Sequence, residues 1–245
     1  MKIIFKQFTK EKWVMQMNEI SLKFPSTPHF SISTKKDVRN DKVLLENLQK
    51  EIFNKELIIE EKIDGANLGI SFNSDADIIL QNRGAILMPP FTGQWKPLEK
   101  WISSKRDILF DVLGDKHILF GEWCYAKHSI HYTHLPDYFL AFDIYNKASG
   151  KFINFEQRNE LITLMGIETV PLIKKGFFSL EELPKFIKKS FYSDSLAEGI
   201  YVRASNNEET FFRAKLVRND FTQNIIQHWS SRTITANSLS SQNTF

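Results

Sequence analysis

Leu57-Ile58-Ile59-Glu60-Glu61-Lys62-Ile63-Asp64-Gly65-Ala66-Asn67-Leu68-Gly69-Ile70 is a β-branched run, a charged break carrying one lysine, and a second run that restarts after a glycine. β-Branched residues favour strands, and glycine permits a sharp turn or a close backbone approach. The stretch therefore predicts strands over 57–63 and 67–73 joined by a tight connection. Lys62, at the junction, is the anomaly. A mostly buried ammonium must be paired with an acid or driven towards the neutral amine. A neutral lysine amine is a nucleophile that can carry a covalent intermediate. For K-x-D-G alone, the competing reading is a hairpin tip with a solvated lysine.

Working outward, residues 1–24 mix apolar and charged positions as a strand and a short helix do. Phe24-Pro25-Ser26-Thr27-Pro28-His29-Phe30 is a proline-punctuated extended link. Val43, Leu44, Leu48 and Ile52 recur at near-helical spacing, which predicts a helix within 41–54. Further strands are predicted near 78–83, 118–123, 139–145, 198–203 and 210–217. Pro89-Pro90-Phe91 breaks the pattern. Trp101, Ile102, Ile108, Leu109 and Val112 mark the apolar side of a helix over 94–113, and 155–165 reads as another. A serine cap with glutamates in the first turn predicts a helix over 179–189, and one or two helical turns are expected from 219 to about 229. Strands and helices do not alternate regularly, so the fold class is α+β, with antiparallel sheets flanked by helices. One domain is expected over 1–229. The Ser/Thr/Asn-rich stretch 230–245 reads as a disordered tail, with no C-terminal OB domain.

The bulk numbers agree with a globular domain. The chain has 245 residues, 42% hydrophobic and 25% charged, with a net charge of +3. That charge permits a basic groove for nucleic acid without demanding one. No signal-peptide core or membrane-length apolar run is present, so a cytoplasmic protein is expected. Cys124, the single cysteine, rules out an internal disulfide and reads as a small buried hydrophobe.

Lys62, Glu122, Glu198 and Lys215 are charges inside otherwise apolar strands, which is costly unless they converge on a shared cavity. With Arg83 and Arg213 added, the cations suit a polyphosphate, while Glu122 and Glu198 suit a divalent cation or ribose hydroxyls. Phe142 offers a ring for a base to stack on. Neither the G-x-x-x-x-G-K-[ST] loop nor the G-x-G-x-x-G fingerprint occurs. His128, His131 and His134 recur every third residue, a spacing that fits neither a strand face nor a helix face. A polar, RNA-facing loop is the expectation there over a metal cluster.

Glu61-Lys62-Ile63-Asp64-Gly65-Ala66-Asn67 resembles the nucleotidyl-acceptor motif of the covalent nucleotidyltransferases, the superfamily of polynucleotide ligases and RNA capping enzymes. Later segments resemble the remaining motifs in order. These are Arg83, Phe120-Gly121-Glu122-Trp123, Ala141-Phe142-Asp143-Ile144-Tyr145, Glu198-Gly199-Ile200-Tyr201-Val202-Arg203, and Lys215-Leu216-Val217-Arg218 with Phe221. The form of the motifs is most similar to RNA ligases of the phage RNA ligase 2 type. The last motif departs from the common K-x-K, reading Arg213-Ala214-Lys215.

The resemblance implies a nucleotidyltransferase (ATP-grasp-like) fold and ATP with Mg2+ or Mn2+ as cofactors. It implies Lys62 and Lys215 as catalytic residues. Glu61, Asn67, Arg83, Glu122, Phe142 and Arg213 would be ATP-binding, and Glu198 and Asp64 metal-binding. The implied activity is an ATP-dependent RNA ligase with a lysyl-AMP intermediate, acting on RNA with 5′-phosphate and 3′-hydroxyl ends in a nicked duplex, with no membrane partner. The alternatives are a DNA ligase or capping-type core, or a catalytically weak RNA- or nucleotide-binding subunit that needs a helper domain or protein.

Overall fold

A computed structural model describes residues 22–30, 43–223 and 234–240. The expectations for 1–21, for the first two residues of the 41–54 helix, for the end of the last helix beyond 223, and for the tail at 230–233 and 241–245 lie outside the described residues.

Two antiparallel sheets carry the fold. Among the described residues the first holds four strands and the second six, with β6 (Lys151–Phe152) at the edge of the second and the short β7 (Glu168–Thr169) parallel to its neighbour β5 (Phe139–Asn146). Strand β1 (Leu57–Lys62) lies between β9 (Gly199–Ser205) and β8 (Leu172–Gly176), and β10 (Thr210–Val217) pairs with β9. Being covered on both faces explains the continuous apolar run: Leu57 and Ile59 pack with Ile200, Val202, Ala214 and Leu216. In the second sheet, β2 (Ala66–Phe72) lies between β3 (Ile78–Gln81) and β4 (His117–Trp123), which pairs with β5 (Phe139–Asn146). The chain therefore leaves the first sheet at Lys62, turns through residues 63–65, and enters the second at Ala66.

Gly65 makes that turn tight. A Cβ built on it would lie 2.8 Å from the carbonyl oxygen of Trp123 and 2.9 Å from the Glu122 side chain, so any larger residue would push the turn off β4.

The helices differ in detail from the periodicity. Helix α1 (Glu46–Ile52) is shorter than the 41–54 pattern. Helix α2 (Leu98–Leu113) starts behind Pro97, after a 3-10 turn at Gly93–Trp95, and buries Leu98, Trp101, Ile102, Leu109 and Leu113 on the second sheet. Ile108, assigned to its apolar side, is exposed. Helix α3 (Phe155–Leu164) is capped by Asn154, whose side chain accepts from the Gln157 amide at 2.8 Å. The last, α4 (Asn219–Gln223), is described over five residues.

The helix expected over 179–189 does not form. That stretch holds a 3-10 turn at Leu183–Phe186 with Pro184 inside it, and a proline there cannot donate the backbone bond an α-helix needs. Its start behaves as the cap signal suggested, with Glu182 accepting from the Ser179 amide at 2.8 Å. Three strands carried no signal: the pairs β6 (Lys151–Phe152) and β7 (Glu168–Thr169), and edge strand β8 with its two lysines. The tail expectation needs correction over residues 234–240. They pack against residues 124–135, and Asn237 is 2% exposed. Polar composition suggested disorder, but here the Asn237 side chain and the backbone amides of Asn237, Ser238 and Ser240 are bonded to backbone groups of residues 124–135. Among the described residues, no helix is long and apolar enough to cross a membrane.

Candidate active site

The two sheets face each other across a cavity of about 460 Å³ lined by Lys62, Asn67, Arg83, Glu122, Phe142 and Lys215, with Glu60, Glu61, Ile63, Val170, Tyr201 and the segment Lys23–Thr27. Strand register explains the assembly. Lys62 ends β1 opposite Gly199, which puts it beside Glu198, and its Nζ lies 2.7 Å from Glu198 Oε2. Asn67 on β2 pairs with Glu122 on β4, and Lys215 on β10 pairs with Tyr201 on β9.

Lys62 keeps 23% of its side-chain surface open, towards this cavity, and Glu198 10%. Burial alone would favour its neutral amine, but Glu198, Glu122 and Asp64 outweigh burial and lift its pKa above the ordinary lysine value. Of the two outcomes open to a buried lysine, pairing with acids is the one realised. Carboxylates, not cations, stand closest, so the resting residue is an ammonium. Burial also raises the Glu198 carboxyl against the pull of Lys62 and Lys215. Burial pushes Glu122 up to about 7, opposed by Lys62 and reinforced by Glu198 and Asp64. Carboxyl oxygens thus crowd the Lys62 amine, with Arg83 acting on Glu122 and Lys215 on Glu198 from across the cavity.

Three expected site residues are engaged elsewhere. Glu61 borders the cavity, but its carboxylate accepts from Ser190 Oγ at 2.5 Å and from the Phe191 amide at 2.9 Å. Asp64 does not line the cavity. Its Oδ2 accepts from the amides of Ser129 and Ile130 at 2.7 and 2.9 Å, which anchors the Lys62 turn. Arg213 is also off the cavity lining, 3.1 Å from Asp143 Oδ2 and 3.6 Å above the Phe152 ring. The intervening Ala214 separates it from Lys215 by two positions, yet the neighbouring acid and rings claim its guanidinium.

The three histidines diverge. His128 Nε2 meets Gln94 Oε1 at 2.9 Å, His134 Nε2 meets the Phe191 carbonyl at 2.9 Å, and the His131 carbonyl accepts from Ser193 Oγ. Among the described residues, no group of three or more His, Cys, Asp and Glu is assembled for a metal. Cys124 is fully buried and burial pushes its thiol pKa well up, which disfavours the thiolate.

Other contributors escaped the sequence reading. The proline-punctuated link is a wall of the cavity. Phe24 packs edge-on to Phe142 at 5.3 Å, and residues 28–30 run beside β10, where Lys215 N donates to Pro28 O and Phe30 N to Lys215 O. Behind Phe142 lies a buried ionic cluster. Arg158 of α3 donates to Glu60 Oε1 at 2.6 Å, and Arg203 donates to Glu60 Oε2 at 2.8 Å and pairs with Asp143. Both arginines donate to the Phe142 carbonyl, at 2.6 and 3.0 Å, fixing the backbone under that ring. Arg203 sat in a recognised motif, but nothing in the α3 sequence marked Arg158 as its partner.

A lysine held between two antiparallel sheets, with carboxylates at its amine and cations across a nucleotide-sized cavity, defines a nucleotidyltransferase-type domain. The chain belongs to the RNA ligase family, whose model matches residues 55–217. The fold is similar to that of a Naegleria gruberi RNA ligase. A variant of it with ATP and Mn gives a TM-score of 0.60 at 16% identity, covering 83% of this chain and 62% of that one. The same ligase with PPi gives 0.56 at 18% identity over 87% and 64%, and a form with AMP and Mn 0.56 at 16% over 83% and 62%. This chain thus spans about three fifths of the length of those ligases. No curated protein matches it significantly.

Proposed function

We propose that the chain is an ATP-dependent RNA ligase that adenylates Lys62, transfers AMP to a 5′-phosphate RNA end and seals that end to a 3′-hydroxyl. One observation carries the reading: the Lys62 amine faces a cavity that holds Arg83, Lys215 and Phe142 together, with Glu198 at 2.7 Å. Family membership and the likeness to a ligase solved with ATP, AMP and PPi support it.

Lys215 and Arg83 would hold phosphate oxygens, and Phe142 would carry the adenine on its face. Asn67 Oδ1 is buried without a hydrogen-bond partner among the described residues, so a donor from the nucleotide, such as a ribose hydroxyl, would satisfy it. Lys62 must lose its proton, to water in the open cavity, before its Nζ can attack the α-phosphorus, and displacing Glu198 from its 2.7 Å pairing would ease that loss. The Lys62 Nζ–phosphorus bond forms as the bond from that phosphorus to pyrophosphate breaks, in line.

The carboxylates of Glu122 and Glu198 are hard oxygen donors that would hold Mg2+ or Mn2+. Such a cation would neutralise the charge that keeps Lys62 protonated and offset the charge growing on the leaving pyrophosphate.

Intact-mass analysis after incubation with ATP and Mg2+ tests the reading. An AMP adduct on the wild type that is absent from Lys62→Ala, and that leaves with a sealed strand when nicked RNA is added, is the expected result. An adduct that persists on Lys62→Ala overturns the assignment of Lys62. An adduct that never leaves on RNA, nicked or single-stranded, overturns the ligase reading.

A further inference from the structure

Residues 234–240 thread between two backbone segments that adjoin the site. Ala236 bridges Ala126 and Leu239 bridges Leu135. Lys127 N donates to Thr235 O at 2.8 Å, Ser238 N to Tyr132 O at 3.0 Å, and Ser240 N to Leu135 O at 2.8 Å. At the centre, Asn237 joins the two segments through its side chain. Its Nδ2 donates to Cys124 O at 2.7 Å and its Oδ1 accepts from Tyr132 N at 2.9 Å. A carboxamide carries a donor and an acceptor on one short planar group, so a single buried side chain satisfies both backbone groups.

The far side of the same segment grips the nucleophile's turn. Tyr132 Oη accepts from the Asp64 amide at 2.8 Å, while the Ser129 and Ile130 amides hold Asp64 Oδ2. Ile63 packs in one cluster with Cys124, Ile130 and Tyr132, against which Leu239 lies. A continuous chain of bonded and packed groups therefore runs from Asn237 through Tyr132 and Asp64 to Lys62, some 175 positions earlier in sequence. Asn237 touches neither the cavity nor Lys62.

Resting on the reading of Lys62 as the adenylated residue, we propose that Asn237 is a positioning residue. The strap at 234–240 clamps the 124–135 segment, and that segment sets the Lys62 amine against Glu198 and in line with the α-phosphate. Without the carboxamide, the Tyr132 amide and the Cys124 carbonyl lose their buried partner. The backbone bonds of the strap remain, so the clamp loosens at Tyr132 rather than the fold being lost. The consequence falls on reaction geometry more than on ATP capture, because misplacing an attacking atom slows the step even when binding is retained.

The test uses the full chain with Asn237→Ala and the graded variant Asn237→Ser, whose hydroxyl can satisfy one of the two groups. Single-turnover lysyl-AMP formation is followed at varied ATP, alongside hydrogen exchange at the amides of residues 57–64. The expected result is a rate at saturating ATP that falls roughly 10- to 100-fold in Asn237→Ala and less in Asn237→Ser. The ATP concentration for half-saturation should stay within about threefold, and faster exchange should be confined to Ile63 and Asp64. Ser238→Ala, an exposed strap residue held through its backbone, should behave as wild type. A wild-type rate in Asn237→Ala, or rate and affinity falling together with exchange rising throughout β1, overturns the proposal. If the wild type itself forms no lysyl-AMP, the reading of Lys62 fails. Exchange at Asp64 then judges the strap alone, and unchanged exchange in Asn237→Ala refutes the mechanical link as well.

Discussion

Glu122→Gln should make the protein more stable and less active, and the gain in stability should depend on pH. Burial beside Glu198 and Asp64 holds the Glu122 carboxyl at about 7, against 4.5 for an ordinary glutamate. A carboxyl raised on folding leaves the folded state with more bound protons than the unfolded one. Its contribution is therefore intact below about 4.5 and is lost as pH rises through about 7. At about 1.4 kcal/mol per pH unit, ionised Glu122 costs the free protein about 3 kcal/mol at pH 8. Glutamine has nearly the same shape and no charge to desolvate. The variant should match the wild type near pH 4.5 and exceed it by about 3 kcal/mol at pH 8. For a chain of this size that is a rise in Tm of roughly 6–12 °C. Thermal and urea unfolding in chelator, without ATP, across pH 4.5–8 measure it. The same variant should lose lysyl-AMP formation by roughly 100-fold, the usual cost of removing one preorganised charged group. A variant no more stable than wild type at pH 8, or a gap that does not change with pH, would refute the claim that Glu122 is held ionised at the expense of the fold.

Other expectations follow from the same geometry. Because Lys62 rests as an ammonium with its pKa above the ordinary lysine value, the rate of adenylation should climb about tenfold per pH unit on the acid side until another step limits it; a flat profile from pH 6 to 9 would contradict this. Arg213→Lys keeps the charge but loses the planar fork between Asp143 and Phe152. It should cost roughly 1–2 kcal/mol in urea unfolding and leave half-saturation by ATP within about threefold; lost ATP affinity with stability intact would return Arg213 to the nucleotide. A Cβ on Gly199 would lie 2.0 Å from the Leu216 carbonyl oxygen. Gly199→Ala should therefore force β9 from β10 beside Lys215, costing about 3 kcal/mol or more by thermal melt; a wild-type melt would show that the strands can separate cheaply.

The strands of the central motifs were legible because each is a run rich in aliphatic, β-branched or aromatic residues, a local property. Charges inside those runs were legible for a related reason: Lys62, Glu122, Glu198 and Lys215 are too expensive to bury without shared partners, so their convergence could be argued from sequence. Which charge meets which could not. Arg213 and Lys215 look equivalent two positions apart, and only the position of Asp143 and Phe152 on the second sheet assigns Arg213 to the framework. Asp64, two positions after Lys62 in sequence, serves as an anchor because the 129–130 amides arrive from 65 residues away. Glu61 is claimed in the same way by residues 190–191.

The sequence by itself determined the α+β class and the residue at the centre of the site, because these rest on local periodicity and on the cost of burying a charge; the order of the site motifs was legible through the family resemblance. The tertiary structure decided that Lys62 rests protonated, that the Phe24–Phe30 link is a cavity wall, that Arg158 stiffens the backbone beneath Phe142, and that a polar stretch near residue 237 is a buried strap. Each of these depends on partners brought together across long sequence separations. Neither periodicity nor composition encodes those partners; register between strands and the closure of two sheets do.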